Sequence, residues 1–280
     1  MHTQTLIIQE AGQHLANRNF REALSLSRAF KSIGHSSVVW GRGYDGPPID
    51  QIGFDQLILL EQYNFDWLPD LSRIKCPKYM WSVDAHCNLQ KHNDIIRRHG
   101  IDHVLSSTAA YLNSFDVPAT WFPNCYDDTL INRPMIPIKR HDVGFCGNVC
   151  NRGPWLQNIH QHIGIKLNIM TIGRLMVEAI QSYRIHFNRN ISEDINYRTY
   201  ETLGCGTMLL TNHTDRLEDL FTVGTHLVTY EDREDCIEKI RYYLDNPTER
   251  ADIAYAGHMH ALQNHTYVNR AKYLIDSVFT

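Results

Sequence analysis

Apolar runs of four to six residues recur along this chain. Between them lie segments whose apolar positions return every three or four residues. Short apolar runs read as buried strands, and the 3.6-residue period reads as helix. On that basis strands are predicted at Thr5 to Ile8, Ser37 to Trp40, Phe54 to Leu60, Lys78 to Val83, His103 to Ser106 and Ala119 to Phe122. A long amphipathic helix with Phe20, Leu24, Ser27 and Phe30 follows the first strand, and His92 to Arg98 is helical. Strands alternating with helices argue for a parallel sheet covered on both faces. The strand ends carry Glu10, Asp84, His86 and Ser106, at the edge where open α/β sheets hold ligands. The first turn, Glu10-Ala-Gly12, has one glycine, so a dinucleotide fingerprint is absent there.

Residues 123–140 break the pattern with prolines at 123, 134 and 137 and read as a linker. The alternation then restarts. Asp142 to Cys146 is a strand with Gly147-Asn148 as its turn, and Pro154 suits a first helical turn. Lys166 to Met170 is a strand ending near Gly173-Arg174, and Tyr183 to Phe187 is another. After the loop Asn188 to Asn190, Ser192 is a good N-cap, with Glu193 and Asp194 at the positive end of a helix that stops at Gly204 or Gly206. Thr207 to Leu210 and Thr225 to Tyr230 are strands. Helices cover Asp232 to Leu244, a segment from Asn246-Pro247, and about Val268 to Val278. On the helix from Ser192, Asp194, Arg198 and Glu201 share one face. A solvated stripe with Arg198 paired to Glu201 or Asp194 would explain that face plainly. The order strand end, Asn-rich loop, Arg, Glu, Gly-x-Gly instead favours an anion site at a helix N-terminus.

Ser192 to Gly206, with Asn196, Arg198, Glu201 and Gly206, resembles the donor-binding motif of family-1-type GT-B glycosyltransferases, nearest the group that includes CgeB-like proteins. The likeness runs on through Leu217-Glu-Asp-Leu-Phe221, Tyr230 to Asp235, Ile240 to Leu244, and His265-Thr-Tyr267 with Arg270. Order and spacing carry it, since no single motif is specific. The opening, Glu10-Ala-Gly-Gln-His14 with Asn17-Arg18 and Phe20-Arg-Glu22, resembles glycosyltransferases of tailed phages. The resemblance implies an α/β fold of GT-B architecture, with two Rossmann-like domains whose parallel sheets face a central cleft. Residues 1–130 would form the acceptor domain and 140–262 the nucleotide-sugar domain. The helix in 263–280 would cross back to the first domain.

Composition agrees with a globular, water-soluble chain: of 280 residues, 43% are hydrophobic and 21% charged. No run approaches the ~20 apolar residues of a membrane span, and the first ten residues are not expected to form a signal peptide. Cysteines at 76, 87, 125, 146, 150, 205 and 236 are scattered and odd in number, which favours reduced thiols and a cytoplasmic setting, the host's if the chain is phage-encoded. Residues 1–130 carry 11 basic against 14 acidic side chains, and 131–280 carry 16 against 17. Neither half is a basic nucleic-acid footprint. Cys146-x3-Cys150 and His258-x-His260 with His265 lack zinc-site spacing, so no metal is expected.

The resemblance implies transfer of a hexosyl or pentosyl group from a nucleotide-diphosphate sugar, such as a UDP-sugar, to a hydroxyl acceptor. The acceptor would be a glycan or small molecule, and no cofactor beyond the donor substrate is implied. Gly147, Asn148, Arg152, Arg174, Asn190, Asn196, Arg198 and Glu201 are the donor-binding candidates. Guanidinium suits diphosphate, and Glu201 resembles the family carboxylate on the ribose hydroxyls. Glu193 and Glu201 match an E-x7-E spacing, about 12 Å apart if helical, which leaves the stereochemistry open. GT-B enzymes do not require a bound metal, and dipoles with basic side chains stabilise the leaving group. His14, Asp84 and His86 are the catalytic candidates, a histidine titrating near working pH. The plainer reading makes Asp84 a helix cap and His14 a solvated loop residue. The phage likeness opens a DNA acceptor with hydroxymethylated bases, which the acidic first half disfavours. A non-catalytic nucleotide-sugar or glycan binder, or an epimerase-like hydrolase, would share the fold.

Overall fold

The computed structural model describes residues 3–279, and its chain divides into two compact units. One comprises the chain up to Asn124 together with the segment from Tyr267 onward; the other is Cys125–Thr266. Each unit is built on one all-parallel sheet.

In the first unit β1 (Gln4–Ile8) is followed by a 3₁₀ turn, Leu15–Phe20, and then α1 (Glu22–Ser32). The sequence pattern placed Phe20 inside one long helix. Arg21 instead adopts extended φ/ψ of −65° and 139°, which splits that segment in two. Next come β2 (Ser36–Trp40), β3 (Gln56–Leu60), β4 (Lys78–Ser82), α2 (Ala85–His99), β5 (His103–Ser106) and β6 (Ala119–Trp121). The sheet order is β2-β1-β3-β4-β5-β6. Leu6, Ile8, Leu57, Leu59, Met80 and Val104 fill one core with Ile95 and Ile96 of α2. Every residue of β3 and β4 is buried, as expected for central strands covered on both faces.

In the second unit β7 (His141–Gly147), α3 (Gly153–His162), β8 (Lys166–Ile169), α4 (Gly173–Ser182) and β9 (Tyr183–Phe187) follow in turn. They lead into α5 (Tyr197–Gly204), β10 (Met208–Asn212), the single turn α6 (Leu217–Leu220), β11 (Val228–Tyr230), α7 (Arg233–Asp245) and α8 (Pro247–Asn264). The order is β11-β10-β9-β7-β8. Val143, Phe145, Ile185, Phe187, Met208 and Leu210 form its core with residues of α3 and α7. Residues 125–140 belong to this unit. Cys125, Tyr126 and Ile131 are buried, so the segment starts as packed chain rather than free linker.

The chain closes with α9 (Tyr267–Tyr273), continued by a π-helical turn at Leu274–Val278. This segment belongs to the first unit, where α9 packs on α1. Arg270 donates to the carbonyls of Pro123 and Asn124 at 2.7 and 2.9 Å, and Tyr79 Oη donates to Val278 O at 3.1 Å. Among the described residues no helix is long and apolar enough to cross a membrane.

Candidate active site

In the second unit the turns after β7, β9 and β10 meet at the carboxyl edge of the sheet. Gly147 has φ +157°, and a Cβ there would come within 3.5 Å of Phe145 Cζ and 4.0 Å of Arg198 Nε. The positive φ is the conformation that glycine adopts at least cost, and the turn lies against Phe145 and Arg198. Asn148 is exposed beside it. Arg152 is buried, and its donors staple two loops together. Nη1 bonds Asn148 O at 3.0 Å, and Nε bonds Arg189 O at 2.7 Å. Burial pushes its pKa down. Arg152 thus fixes the loops that frame the site.

The loop after β9 is held by a lattice of asparagines. Asn188 Nδ2 donates to Thr211 Oγ1 at 3.1 Å and to Asn196 Oδ1 at 3.3 Å. The Asn196 N–H donates to Asn190 Oδ1 at 3.2 Å, and the Asn190 N–H to Asn212 Oδ1 at 2.7 Å. Tyr230 Oη bonds Asn188 O at 2.9 Å. These local bonds compete with helix hydrogen bonding. As a result α5 starts at Tyr197 with Asn196 as its N-cap, four residues later than the Ser192 cap read from sequence. Ser192 bonds Asp194 Oδ1 instead, and Glu193 accepts the Asp215 N–H at 2.9 Å. Asp194 is therefore off the helix that carries Arg198 and Glu201, and the 12 Å helical spacing of Glu193 from Glu201 does not apply.

Arg198 and Glu201 remain on one face of α5 and form an ion pair, their side chains 23% and 14% exposed. Arg198 Nε donates to Cys146 O at 2.9 Å, and Nη1 reaches Glu201 and Met176 Sδ. Burial opposes the charge on Arg198, but Glu201 more than compensates and raises its pKa. The guanidinium is pinned through Nε and Nη1.

Beneath this pair lies His186, which sequence reasoning missed. It is buried, and burial with the nearby Arg198 charge lowers its pKa to about 3. The Cys146 N–H donates to its Nε2 at 3.2 Å, so the single ring proton sits on Nδ1 and faces Thr202 Oγ1. Thr202 in turn donates to Arg198 O. A neutral imidazole thereby locks the end of β7 to the second turn of α5. A histidine inside a β-prone run gave no signal of this role, because its partners lie 40 residues back and 16 ahead. Arg174 stands apart from the group: it is exposed on the first turn of α4 and pairs with Glu178 at 3.0 Å.

In the first unit His14 is exposed and lines a cavity of about 250 Å³ with Gln13, Asn17, Arg21 and Tyr63. Asp84 is the N-cap residue of α2, without a side-chain bond to the helix backbone, and His86 lies in its first turn. Their strands β1 and β4 flank β3, whose end carries Glu61 and Gln62. Glu61 accepts the N–H groups of Val83 and Asp84 at 2.7 Å each and Asn88 Nδ2 at 2.8 Å. His92 Nε2 lies 3.2 Å from it, off the line of a good hydrogen bond, while His92 Nδ1 meets Ser82 Oγ at 2.9 Å. Burial alone would raise the Glu61 pKa, but His92 and the two backbone donors lower it. Arg21 Nε, Tyr44 Oη, Gln62 Nε2 and His86 Nδ1 are buried polar atoms without a hydrogen-bond partner among the described residues. Buried polar atoms of this kind call for a partner, and Arg21 lines the same cavity as His14. Among the described residues no group of three or more His, Cys, Asp or Glu could hold a metal ion.

Two units, each on a parallel sheet of six or five strands, make a GT-B architecture. Residues 138–276 match the family described as Glycosyl transferase-like. An alpha-glucosyltransferase solved in complex with UDP superimposes with a TM-score of 0.70 at 9% identity, covering 99% of this chain and 100% of that one. Sucrose-phosphate synthase from Thermosynechococcus elongatus gives 0.68 at 11% identity, and T4 phage BGT in complex with UDP-glucose gives 0.66 at 12%. Each of these covers 97% of both chains. At such identities the likeness establishes the fold. No curated protein sequence matches the chain significantly.

Proposed function

We propose that this protein transfers a sugar from a nucleotide-diphosphate sugar to a hydroxyl acceptor, the second unit holding the donor and the first unit the acceptor. The observation that carries the proposal is the Arg198–Glu201 pair on the first turns of α5, beside the Gly147 turn, in a glycosyl transferase-like domain. Glu201 takes the ribose hydroxyls, since a carboxylate accepts both protons of a diol. Arg198, the Asn190 and Asn196 amides and the N-terminus of α5 face the diphosphate, where they offset charge on the departing nucleotide without a metal. Arg152 acts on the donor through the loops it staples, and Arg174 contributes only long-range charge. In the solved relatives the bound ligands are UDP and UDP-glucose, which makes a UDP-sugar the first donor to test.

The acceptor hydroxyl loses its proton to His14, Asp84 or His86, as the anomeric carbon–oxygen bond to the diphosphate breaks and the new glycosidic bond forms. The nucleoside diphosphate leaves with the negative charge. The phage-like opening, Glu10 to His14 with Asn17-Arg18, keeps a DNA acceptor among the tests, while the 14 acidic against 11 basic side chains of residues 1–130 weigh against it. Incubation with a panel of nucleotide sugars, with and without glycan, small-molecule and hydroxymethylated-DNA acceptors, tests the reading. Acceptor-stimulated release of nucleoside diphosphate is expected. Saturable binding with no turnover on any acceptor would leave a sugar-nucleotide binding protein instead.

A further inference from the structure

The second unit has another built cavity, at the opposite end of its sheet from the donor loops. It measures about 160 Å³ and lies where the chain enters β7, β9 and β10. Arg133, Lys139, Arg184 and Arg250 line it together with Tyr255, and no carboxylate is among its lining residues. Each cation is anchored. Lys139 Nζ donates to Thr207 Oγ1 at 2.8 Å. Arg250 Nη1 bonds the carbonyls of Tyr243 and Leu244 at the end of α7. The stem of Arg133 packs over Gly206, where a Cβ would lie 2.5 Å from Cγ, and its guanidinium sits 5.3 Å from the Tyr255 ring centre. Arg184 pairs with Asp142, which offsets one of the four charges.

We propose that this cavity binds a single phosphate group, free or as the terminal phosphate of a small ester. Four cations with one carboxylate beside them leave an excess of positive charge in a recess, a costly arrangement that a bound dianion relieves. Arginine forks and an ammonium with two remaining protons supply the donors that phosphate oxygens need. The volume is below the roughly 300–1,000 Å³ of pockets that take drug-sized ligands, so a phosphate fits better than a nucleotide. The state of Lys139 agrees: burial, with Arg133 and Arg250 adding repulsion, lowers its pKa to about 8. The Cys205 thiol is the acidic group that acts on it, and burial holds that thiol neutral. The site does not depend on the donor assignment.

Titration of the full chain with inorganic phosphate at constant ionic strength, against chloride, tests the proposal by calorimetry and thermal shift. Saturable phosphate binding is expected, and Arg133→Gln and Lys139→Gln should each weaken it about tenfold, the worth of one charge-assisted bond. A parallel titration with glucose 1-phosphate distinguishes the sources: tighter binding than phosphate assigns an ester, weaker binding the free ion. Phosphate should also protect Lys139 from amine acylation at pH 8, read by peptide mass spectrometry in the unmutated chain. Phosphate binding no stronger than chloride, or undiminished in Arg133→Gln, would overturn the assignment whatever Lys139→Gln does to folding.

Discussion

Glu201 is the side chain on which the donor reading turns, and Glu201→Ala is its sharpest perturbation. The carboxylate is 14% exposed and holds the Arg198 guanidinium. Removing it has two separable effects. Arg198 keeps its bond to Cys146 O but loses its counter-charge, which should cost about 1–3 kcal/mol of stability, typical of a half-buried donor left unsatisfied. For a chain of this size that is a drop of several degrees in melting temperature. The donor loses two hydroxyl-to-carboxylate bonds at about 1.5 kcal/mol each, near 3 kcal/mol together, or roughly 100-fold in affinity. Calorimetric titration with UDP reads the second effect, and a thermal melt reads the first. Glu201→Gln preserves volume and one acceptor, so it should show less of the stability loss and about half of the binding loss in free energy. A Glu201→Ala protein that melts lower yet binds UDP within twofold of the parent would show that the pair is architectural and that the ribose lies elsewhere.

His14→Ala and Asp84→Ala should lower turnover by at least about tenfold, within the range of general-base effects, while UDP affinity stays level; parental rates in both would remove them from the mechanism. The lowered pKa of His186 has a defined consequence for acid stability. Between the ordinary histidine value of 6.5 and about 3 the unfolded chain takes up a proton that the folded chain refuses, so stability is full above 6.5 and falls as pH drops through that window, by up to about 1.4 kcal/mol per pH unit. Denaturant melts from pH 7 to 4 should show this slope, and His186→Gln should flatten it. Asp232 caps α7 through the Asp235 N–H at 2.9 Å, so Asp232→Ala should cost about 1 kcal/mol by urea denaturation. Gly257→Ala should destabilise far more, because its Cβ would lie 2.2 Å from His226 O and 2.8 Å from Leu203 Cδ2; soluble expression at parental melting temperature would refute that packing.

The strands were legible because parallel sheets bury both faces and leave unbroken apolar runs. Leu57-Ile-Leu-Leu60 and Leu209-Leu210 need no partner to be recognised. Two kinds of feature were less visible. Helix α4 went unread: its apolar residues Met176, Val177, Ala179 and Ile180 abut the Tyr183 strand without a turn signal between. The start of α5 was misplaced since Ser192 has the chemistry of a cap, and only the side-chain lattice of Asn188, Asn190 and Asn196 reveals that the chain is held extended until Asn196. In the site, Gly147, Arg152, Arg198 and Glu201 were singled out by type and order and do converge, while exposed Arg174 does not join them. His186 and Glu61 stayed hidden because their roles are defined by long-range contacts.

Tyr126 and Thr266, next to the two ends of the second unit, bridge as neighbouring strand residues, and the Tyr126 N–H bonds His265 O at 3.1 Å. Its entry and exit points therefore stand side by side, the arrangement that tolerates excision and re-insertion of a whole module. A gene encoding 125–266 can be expressed by itself, or exchanged for the equivalent cassette of a relative, without cutting any strand of its sheet. On the proposed assignment of donor to this unit and acceptor to the other, the two preferences become separately graftable traits.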